Sequence, residues 1–324
     1  MPTQPPLKTV RTPALEIAYH EHGPPDGWPV VLAHGFPYSP VAYDEVAPRL
    51  ARAGARVIVP YARGFGATRF LDDDDDGRRA MRNGQQAALA ADLVALLDAL
   101  GIARATLAGF DWGGLAACCA AALWPGRVAA LVSYAGYDVA AVGRHSGGED
   151  GVGDGDGDDA PSPALECVMW YQHLFQSERG RACLARDRRR LCRLLWAQWS
   201  PSWDPAAADA AFARAAPAFD NADFVDVVVH CYRFVHGAAA GDPALDGLEA
   251  RLAARPRIAV PCVTLDGARD PLKPGGSAAH APMFAARHER RVVDVGHAFP
   301  AEAPEAFARA VIDAHAWAVE AGTA

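Results

Sequence analysis

The segment GFDWG, residues 109–113, places an aspartate where a nucleophile is expected. A short apolar run, residues 105–108, precedes it, and a run of small residues follows it. This pattern predicts a strand, a sharp turn and a helix, which is the context of the G-x-S-x-G turn that exposes its central side chain for attack. Asp111 occupies the central position and is the candidate nucleophile, although an aspartate before a helix can also be a simple N-cap.

An aspartate in this position favours attack on a saturated carbon atom. A serine hydroxyl needs a base to remove its proton, whereas an aspartate carboxylate is already anionic at neutral pH. Attack of a carboxylate on an ester would give a reactive anhydride, but attack on an sp³ carbon that bears a leaving group gives an alkyl-enzyme ester. Hydrolysis of this ester then needs a general base to activate water and N–H donors to stabilise the oxyanion.

Further polar motifs follow predicted strands in an order that fits this chemistry. They are AHGFP at 33–37, DGARDP at 266–271 and VGHAFP at 295–300. Because the carboxyl ends of parallel strands meet at one edge of a sheet, these loops can converge on Asp111. His297 is the predicted general base, and Asp270 is the predicted acid that orients it and stabilises its charged form. Asp266, earlier in the same motif, is an alternative to Asp270.

The order of nucleophile, acid and histidine, together with the H-G-x-P turn and the G-x-D-x-G-G elbow, resembles the α/β-hydrolases of the epoxide hydrolase branch, which are related to haloalkane dehalogenases. The similarity extends from about Pro6 to Ala318, apart from an acidic tract. It implies an oxyanion hole formed by the backbone N–H groups of Phe36 and Trp112. The side chains of the same two residues are candidates for substrate binding.

Two tyrosines in the middle of the chain match the cap tyrosines of that branch. Tyr171 lies in WYQHLF and Tyr232 lies in CYRF, and the resemblance implies that both hydroxyl groups bind the substrate and protonate its departing oxygen. A phenol, with a pKa of about 10, is a suitable acid for an alkoxide, whereas a halide leaves without one. Spacing alone would assign both tyrosines to helix packing.

The activity implied by the resemblance is the opening of a small apolar epoxide to a vicinal diol through an ester on Asp111, with no cofactor and no metal. The alternative is a haloalkane or haloacid dehalogenase that uses the same Asp111 and His297. Related dehalogenases usually have a side-chain amide where this chain has Phe36. A non-catalytic protein that binds a ligand on a hydrolase scaffold is a third interpretation, because fold alone does not determine function.

Alternating strand and helix patterns predict the fold that positions these residues. The runs WPVVLAHG and ARVIVP are typical of buried parallel strands, residues 84–101 are typical of a helix, and LEIAYHE alternates like a half-buried edge strand. The sequence predicts a mostly parallel, doubly wound sheet, and the resemblance implies an α/β-hydrolase fold. The predicted core comprises 1–138 and 256–324, with a helical cap at 139–255 and a disordered acidic tract at 143–163.

Bulk composition restricts the partners and the compartment. The 324 residues carry a formal net charge of −8, which argues against a nucleic-acid partner. The N-terminus lacks the pattern of a signal peptide, and no apolar run approaches the ~20 residues of a membrane span. The seven cysteines show no metal-ligand spacing, and Cys118, Cys119 and Cys262 fall in apolar runs. We therefore expect a reduced, cytoplasmic protein without disulfides, either a monomer or a homodimer.

The remaining polar side chains near these motifs have structural interpretations. His34 is expected to brace its own loop by hydrogen bonding, and Arg63 in the RGFG turn is expected to form an ion pair. His173, His230 and His236 are expected to be surface or cap residues. Three further tyrosines, Tyr38, Tyr134 and Tyr137, are weaker alternatives to Tyr171 and Tyr232 as proton donors.

Overall fold

The computed structural model describes residues 4–71, 80–140, 142 and 162–322. In these residues the strands are β1 (Lys8–Arg11), β2 (Leu15–His22), β3 (Trp28–Ala33), β4 (Ala55–Pro60), β5 (Arg69–Phe70), β6 (Ala105–Gly109), β7 (Val128–Tyr134), β8 (Cys262–Gly267) and β9 (His288–Val293). The α-helices are α1 (Val46–Arg52), α2 (Gln86–Ala99), α3 (Trp112–Leu123), α4 (Pro163–Val168), α5 (Trp170–Gln176), α6 (Glu178–Trp199), α7 (Pro205–Ala215), α8 (Phe224–Val235), α9 (Asp246–Ala253), α10 (Phe299–Glu302) and α11 (Pro304–Glu320).

The sheet is mostly parallel and doubly wound, which confirms the predicted fold class. Its strand order is β1-β2-β4-β3-β6-β7-β8-β9, and β5 pairs with β2. Neighbours from β4 to β9 along this order are parallel, whereas β1, β4 and β5 each run antiparallel to β2. One group of helices, α1 and α11, and a second group, α2, α3 and α9, cover the sheet. The central strands β6 and β7 are therefore buried throughout, and Cys118, Cys119 and Cys262 lie in this core as expected.

A helical insertion separates β7 from the last strands of the sheet. The elements of the described residues between β7 and β8 are helical, and we call α4–α8 the cap helices. The next helix, α9, contacts α2 and α3 instead. The domain boundaries 1–138, 139–255 and 256–324 stay a prediction. The acidic tract 143–163 lies outside the described residues except at its end, where Pro163 begins α4.

The prediction that LEIAYHE is an edge strand is wrong. The strand that it forms, β2, pairs with β1 on one side and with β4 on the other. Its alternation is weak because the consecutive residues Ala18, Tyr19 and His20 are all buried. The edge strand on that side of the sheet, Lys8–Arg11, escapes prediction because it is short and mostly exposed.

An ion pair fixes the loop that follows β4. Nε and Nη2 of Arg63 donate to the two carboxylate oxygens of Asp92 in α2, each at 2.7 Å, and the Arg63 side chain is only 5% exposed. The same guanidinium donates to the backbone carbonyl groups of Asn83 and Ala88. The expected ion pair of Arg63 is therefore present, and it ties the loop after β4 to the helix that packs on the sheet.

We expect Arg63→Met to lower the free energy of unfolding by about 3–5 kcal/mol, because it leaves the carboxylate of Asp92 largely buried without its partner. Urea unfolding followed by circular dichroism measures the change. The control is Arg63→Met/Asp92→Leu, which removes both charges and should recover part of the loss. A single variant that loses less than about 1 kcal/mol would show that the pair is as weak as a surface salt bridge.

Candidate active site

A strained turn presents Asp111 between β6 and α3. The backbone of Asp111 has φ 54° and ψ −135°, a conformation that residues with side chains rarely adopt. The flanking glycines make this turn possible, because a Cβ on Gly113 would collide with the carbonyl oxygen of Ala33 and a Cβ on Gly109 would collide with the carbonyl of Gly113. Their missing side chains allow β3, β6 and α3 to approach closely and hold the carboxylate in place.

The two oxygens of the Asp111 carboxylate have different surroundings. Oδ1 accepts hydrogen bonds from the backbone N–H groups of Phe36 and Trp112, each at 2.7 Å. Oδ2 lies 3.1 Å from Nε2 of His297. The loop that carries Phe36 follows β3, which is the neighbour of β6 in the sheet, so both N–H groups converge on one oxygen. This geometry can stabilise a negative charge that develops on Oδ1.

The imidazole of His297 lies between two carboxylates. Its Nδ1 is 2.7 Å from Oδ2 of Asp270, and its Nε2 faces Asp111. The Tyr134 hydroxyl donates to Oδ2 of Asp270 at 2.7 Å, and the N–H of Leu272 donates to Oδ1 at 2.8 Å. Burial would raise the pKa of Asp270, but the charge of His297 and these hydrogen bonds hold the pKa below its ordinary value.

Asp266, the alternative acid, makes other contacts. Its Oδ2 accepts hydrogen bonds from Nε of Arg290 at 2.5 Å, and from the N–H and hydroxyl of Ser277 at 2.9 and 3.0 Å. Asp266 lies within β8, whereas Asp270 lies in the loop that follows this strand. Of the two aspartates that the sequence leaves open, the structure therefore brings Asp270 to His297.

The position of His297 determines its charge. Burial alone would lower the pKa of His297, but the negative charges of Asp270 and Asp111 and the hydrogen bonds to them raise the pKa to about 10. The site therefore holds an imidazolium between two carboxylates at neutral pH. The negative charges of Asp111 and Asp270 counteract the effect of burial on the pKa of His297, so the loss of either charge would lower this pKa.

His34 is neutral and braces its loop by hydrogen bonding, as expected from the sequence. Burial lowers the pKa of His34 to about 4. Its Nδ1 lies 3.0 Å from the carbonyl oxygen of Gly35, and its Nε2 accepts the N–H of Ala62 at 3.1 Å. His34 therefore connects the loop after β3 to the loop after β4.

A cavity of about 180 Å³ lies above Asp111. Trp112 and His297 line it from the sheet side, and Tyr171 in α5 and Tyr232 in α8 line it from the cap helices. The rings of the two tyrosines are 5.3 Å apart and nearly perpendicular. Burial raises the pKa of both hydroxyl groups, so that both carry their protons at neutral pH.

The Phe36 ring is not on the cavity wall, in contrast to its predicted role as a substrate contact. It is completely buried and packs against Trp112 at 5.5 Å and Tyr232 at 5.7 Å between ring centroids. The turn that directs the Phe36 N–H toward Asp111 places the ring in this aromatic cluster. The structure therefore brings only the backbone of Phe36 to the site.

Several residues of the cavity wall are not apparent from the sequence. They are Leu115, Ala135, Asp138, Ala140, Met169, Gln172, Val235, Leu272 and Lys273, and Tyr134 lines the same wall. Tyr134, a rival proton donor by sequence, binds Asp270 instead. The signal that could identify it is its place at the end of β7, the strand that pairs with β8.

The site collects groups with complementary chemistry around one cavity. A carboxylate can attack an electrophilic carbon, phenols can protonate a departing oxygen, and an imidazole can activate water once it is neutral. Among the residues that the structure describes, no group of three His, Cys, Asp or Glu side chains could hold a metal ion. None of the helices in the described ranges is long and apolar enough to cross a membrane.

Comparison with known proteins identifies relatives of part of the chain. Residues 29–154 match a protein family whose description is alpha/beta hydrolase fold. Epoxide hydrolase A of Mycobacterium tuberculosis is 35% identical over 129 residues, which are 39% of this chain and 37% of that protein. A haloalkane dehalogenase of Mycobacterium marinum is 34% identical over 137 residues, 41% of this chain and 42% of that protein. The chain thus spans less than half the length of these curated relatives.

Solved structures extend the similarity to almost the whole chain. A crystal structure from Klebsiella pneumoniae subsp. pneumoniae, described as a candidate epoxide hydrolase, is 42% identical with a TM-score of 0.85, and the match covers 96% of this chain and 97% of that chain. A structure from Pseudomonas aeruginosa with the same description is 22% identical, has a TM-score of 0.76 over 99% of both chains, and shares the fold. The chain therefore belongs to the α/β-hydrolase superfamily, in the branch that contains epoxide hydrolases and haloalkane dehalogenases.

Proposed function

We propose that the protein hydrolyses small apolar epoxides to vicinal diols through a covalent ester on Asp111. The observation that carries this proposal is the Asp111 carboxylate, which has one oxygen on two backbone donors and the other beside His297, below a cavity lined by Tyr171 and Tyr232. The cavity volume of about 180 Å³ suits a small ligand, because an apolar cavity of ~150 Å³ in another protein holds benzene. Similarity to proteins named epoxide hydrolases supports the same activity.

In the first step, Oδ2 of Asp111 attacks one ring carbon of the epoxide. An ester bond forms between Oδ2 and this carbon, and the bond between the carbon and the epoxide oxygen breaks. The electron pair of the broken bond stays on the epoxide oxygen, which takes a proton from Tyr171 or Tyr232. Oδ1 becomes the carbonyl oxygen of the ester and keeps both of its N–H donors.

Esterification changes the role of His297. The negative charge of Asp111 disappears, and with it part of what raises the pKa of His297. The imidazolium transfers its own proton to the tyrosinate that the first step leaves, and the neutral imidazole becomes a base. Asp270 keeps the ring oriented through Nδ1 and stabilises the charge that returns.

In the second step, water attacks the carbonyl carbon of the ester and gives a proton to His297. The oxyanion forms on Oδ1, where the N–H groups of Phe36 and Trp112 donate. The diol oxygen leaves with a proton from His297, and the carboxyl group of Asp111 then returns its own proton to the imidazole. Carboxylate, imidazolium and phenol are all restored, and the net reaction is epoxide plus water to diol.

A single turnover in heavy-oxygen water should place the label in Asp111, because water attacks the ester carbonyl and the diol takes its new oxygen from the carboxylate. Mass spectrometry of the peptide that contains Asp111, and of the diol, measures where the label goes. Incubation without epoxide controls for slow exchange. Label in the diol, with Asp111 unlabelled, would mean that water attacks the epoxide directly.

His297→Gln should accumulate the alkyl-enzyme, because ester hydrolysis slows by about 10²–10⁴-fold while alkylation persists. In wild type, the decay of the ester should accelerate as the pH rises and level off above the pKa of His297 in the ester form. That pKa should lie below the value of about 10 in the free site, because Asp111 no longer carries its charge. Rapid-quench mass spectrometry follows the ester. Decay that slows with rising pH, or a variant with normal hydrolysis, would contradict the base role.

A dehalogenase is the second candidate function, because the haloalkane dehalogenase of Mycobacterium marinum is similar over part of the chain. The substitutions Tyr171→Phe and Tyr232→Phe distinguish a dehalogenase from an epoxide hydrolase. Each should slow alkylation by an epoxide about 10-fold or more, whereas an alkyl halide needs no proton and should react unchanged. The matched control is Tyr137→Phe, since the Tyr137 hydroxyl donates to the carbonyl of Pro256 outside the cavity. Halide release without diol formation in wild type would favour the dehalogenase.

A further inference from the structure

Gln172 in α5 connects the Tyr171 hydroxyl to a histidine that follows α8. Nε2 of Gln172 donates to Oη of Tyr171 at 3.1 Å, and Oε1 of Gln172 lies 3.0 Å from Nε2 of His236. Gln172 also lies on the wall of the cavity above Asp111. One amide therefore touches both the candidate acid and the residue that follows a second cap helix, α8.

The surroundings determine which end of this amide faces Tyr171. Nε2 of Gln172 lies 3.3 Å from Sδ of Met169, a thioether that accepts hydrogen bonds but cannot donate them. Oε1 accepts from Nε2 of His236 when that nitrogen carries the ring proton. In the opposite orientation the amide oxygen would face a sulfur that has no proton to donate. With N–H toward Tyr171, the amide group meets two acceptors, Sδ of Met169 and Oη of Tyr171, and the amide oxygen faces a ring nitrogen of His236.

A hydroxyl that accepts from Gln172 has to direct its own proton elsewhere. The Tyr171 hydroxyl faces Sδ of Met169 at 3.8 Å, and a thioether is a weak acceptor that a substrate oxygen can replace. After the proton leaves, the phenolate keeps the N–H of Gln172. Burial raises the pKa of Tyr171, and hydrogen bonds from Gln172 and Tyr232 oppose this rise.

We infer that Gln172 is a positioning residue for ring opening: it holds the Tyr171 oxygen as an acceptor, directs the hydroxyl proton toward the epoxide oxygen and stabilises the phenolate that remains. This inference rests on the proposed epoxide chemistry. It assigns the proton transfer to Tyr171, while Tyr232, whose ring lies 5.3 Å from that of Tyr171 on the same cavity wall, contributes to binding of the same oxygen.

A double-mutant cycle tests whether Gln172 acts through the Tyr171 hydroxyl. The proteins are wild type, Gln172→Met, Tyr171→Phe and the double variant, and rapid quench measures alkyl-enzyme formation from a styrene-type epoxide. Methionine is similar in length to glutamine but has no N–H. We expect Gln172→Met to slow alkylation about 10-fold in the wild-type background and less than about 2-fold in the Tyr171→Phe background. In the second background the hydroxyl that accepts the Gln172 hydrogen bond is already missing.

A matched control lies on the same helix. The amide of Gln176 donates to the backbone carbonyl groups of Gln172 and Tyr232 and not to a tyrosine hydroxyl, so Gln176→Met should leave alkylation within about 2-fold of wild type. Ester hydrolysis should also stay within about 2-fold in Gln172→Met, because His297 performs that step. An equal loss of alkylation in both backgrounds, or a loss confined to ester hydrolysis, would overturn the inference.

A binding measurement separates this inference from the proposed function. If wild type forms no ester with epoxides, the proposed function fails, and calorimetry with phenylacetamide on the same four proteins then tests the coupling. The amide oxygen of this ligand accepts a hydrogen bond from the Tyr171 hydroxyl. Gln172→Met should therefore weaken binding about 5-fold when Tyr171 is present and leave the affinity unchanged in the Tyr171→Phe background. Equal affinities for all four proteins, or equal weakening in both backgrounds, would refute the role of Gln172.

Discussion

Two carboxylates, those of Asp111 and Asp270, face opposite nitrogens of one buried imidazole. An ionised group loses its hydration when it is buried, and here the two neighbouring negative charges offset that loss for His297. Both carboxylates are held in turn, Asp111 by backbone N–H groups and Asp270 by the Tyr134 hydroxyl. Because the charge on His297 depends on both partners, any reaction that neutralises Asp111 also changes the proton affinity of the imidazole. The proposed two-step chemistry uses this dependence directly.

The parallel sheet brings these groups together because each follows the end of a different strand. Asp111 follows β6, Asp270 follows β8 and His297 follows β9. The register that places Ala33 opposite Gly109 also places the loop after β3 beside the Asp111 turn. Backbone pairing across the sheet therefore brings the loops that carry these side chains to one edge.

The sequence predicts the parts of this arrangement that depend on short-range patterns. Asp111 and His297 lie in short glycine-containing segments, GFDWG and VGHAFP, and both positions are recognisable without a structure. The choice between Asp266 and Asp270 depends on a partner from the next strand, because Arg290 in β9 pairs with Asp266. Spacing within one motif carries no information on that pairing, so the sequence favours Asp270 only by its position further past the strand end and leaves Asp266 as an alternative.

Contacts between distant segments account for the other differences between prediction and structure. The strand pattern of LEIAYHE is compatible with an edge, and only the pairing with β1 shows that it is covered on that side. The Phe36 side chain is expected at the substrate, but it packs into an aromatic cluster that cap residues complete. Gln172 has no motif of its own, because its significance arises from a tyrosine beside it and a histidine that follows another helix.

The cavity wall is divided between two parts of the chain. The proposed nucleophile and base follow the ends of core strands, while α5 and α8 contribute Tyr171 and Tyr232 to the opposite surface. Changes in those two helices can alter the size and shape of an accepted molecule without moving the attacking carboxylate. Homologous chains could therefore differ in the molecules that they accept and still keep Asp111 and His297 in place, because mutations in these helices change only the cap side of the cavity.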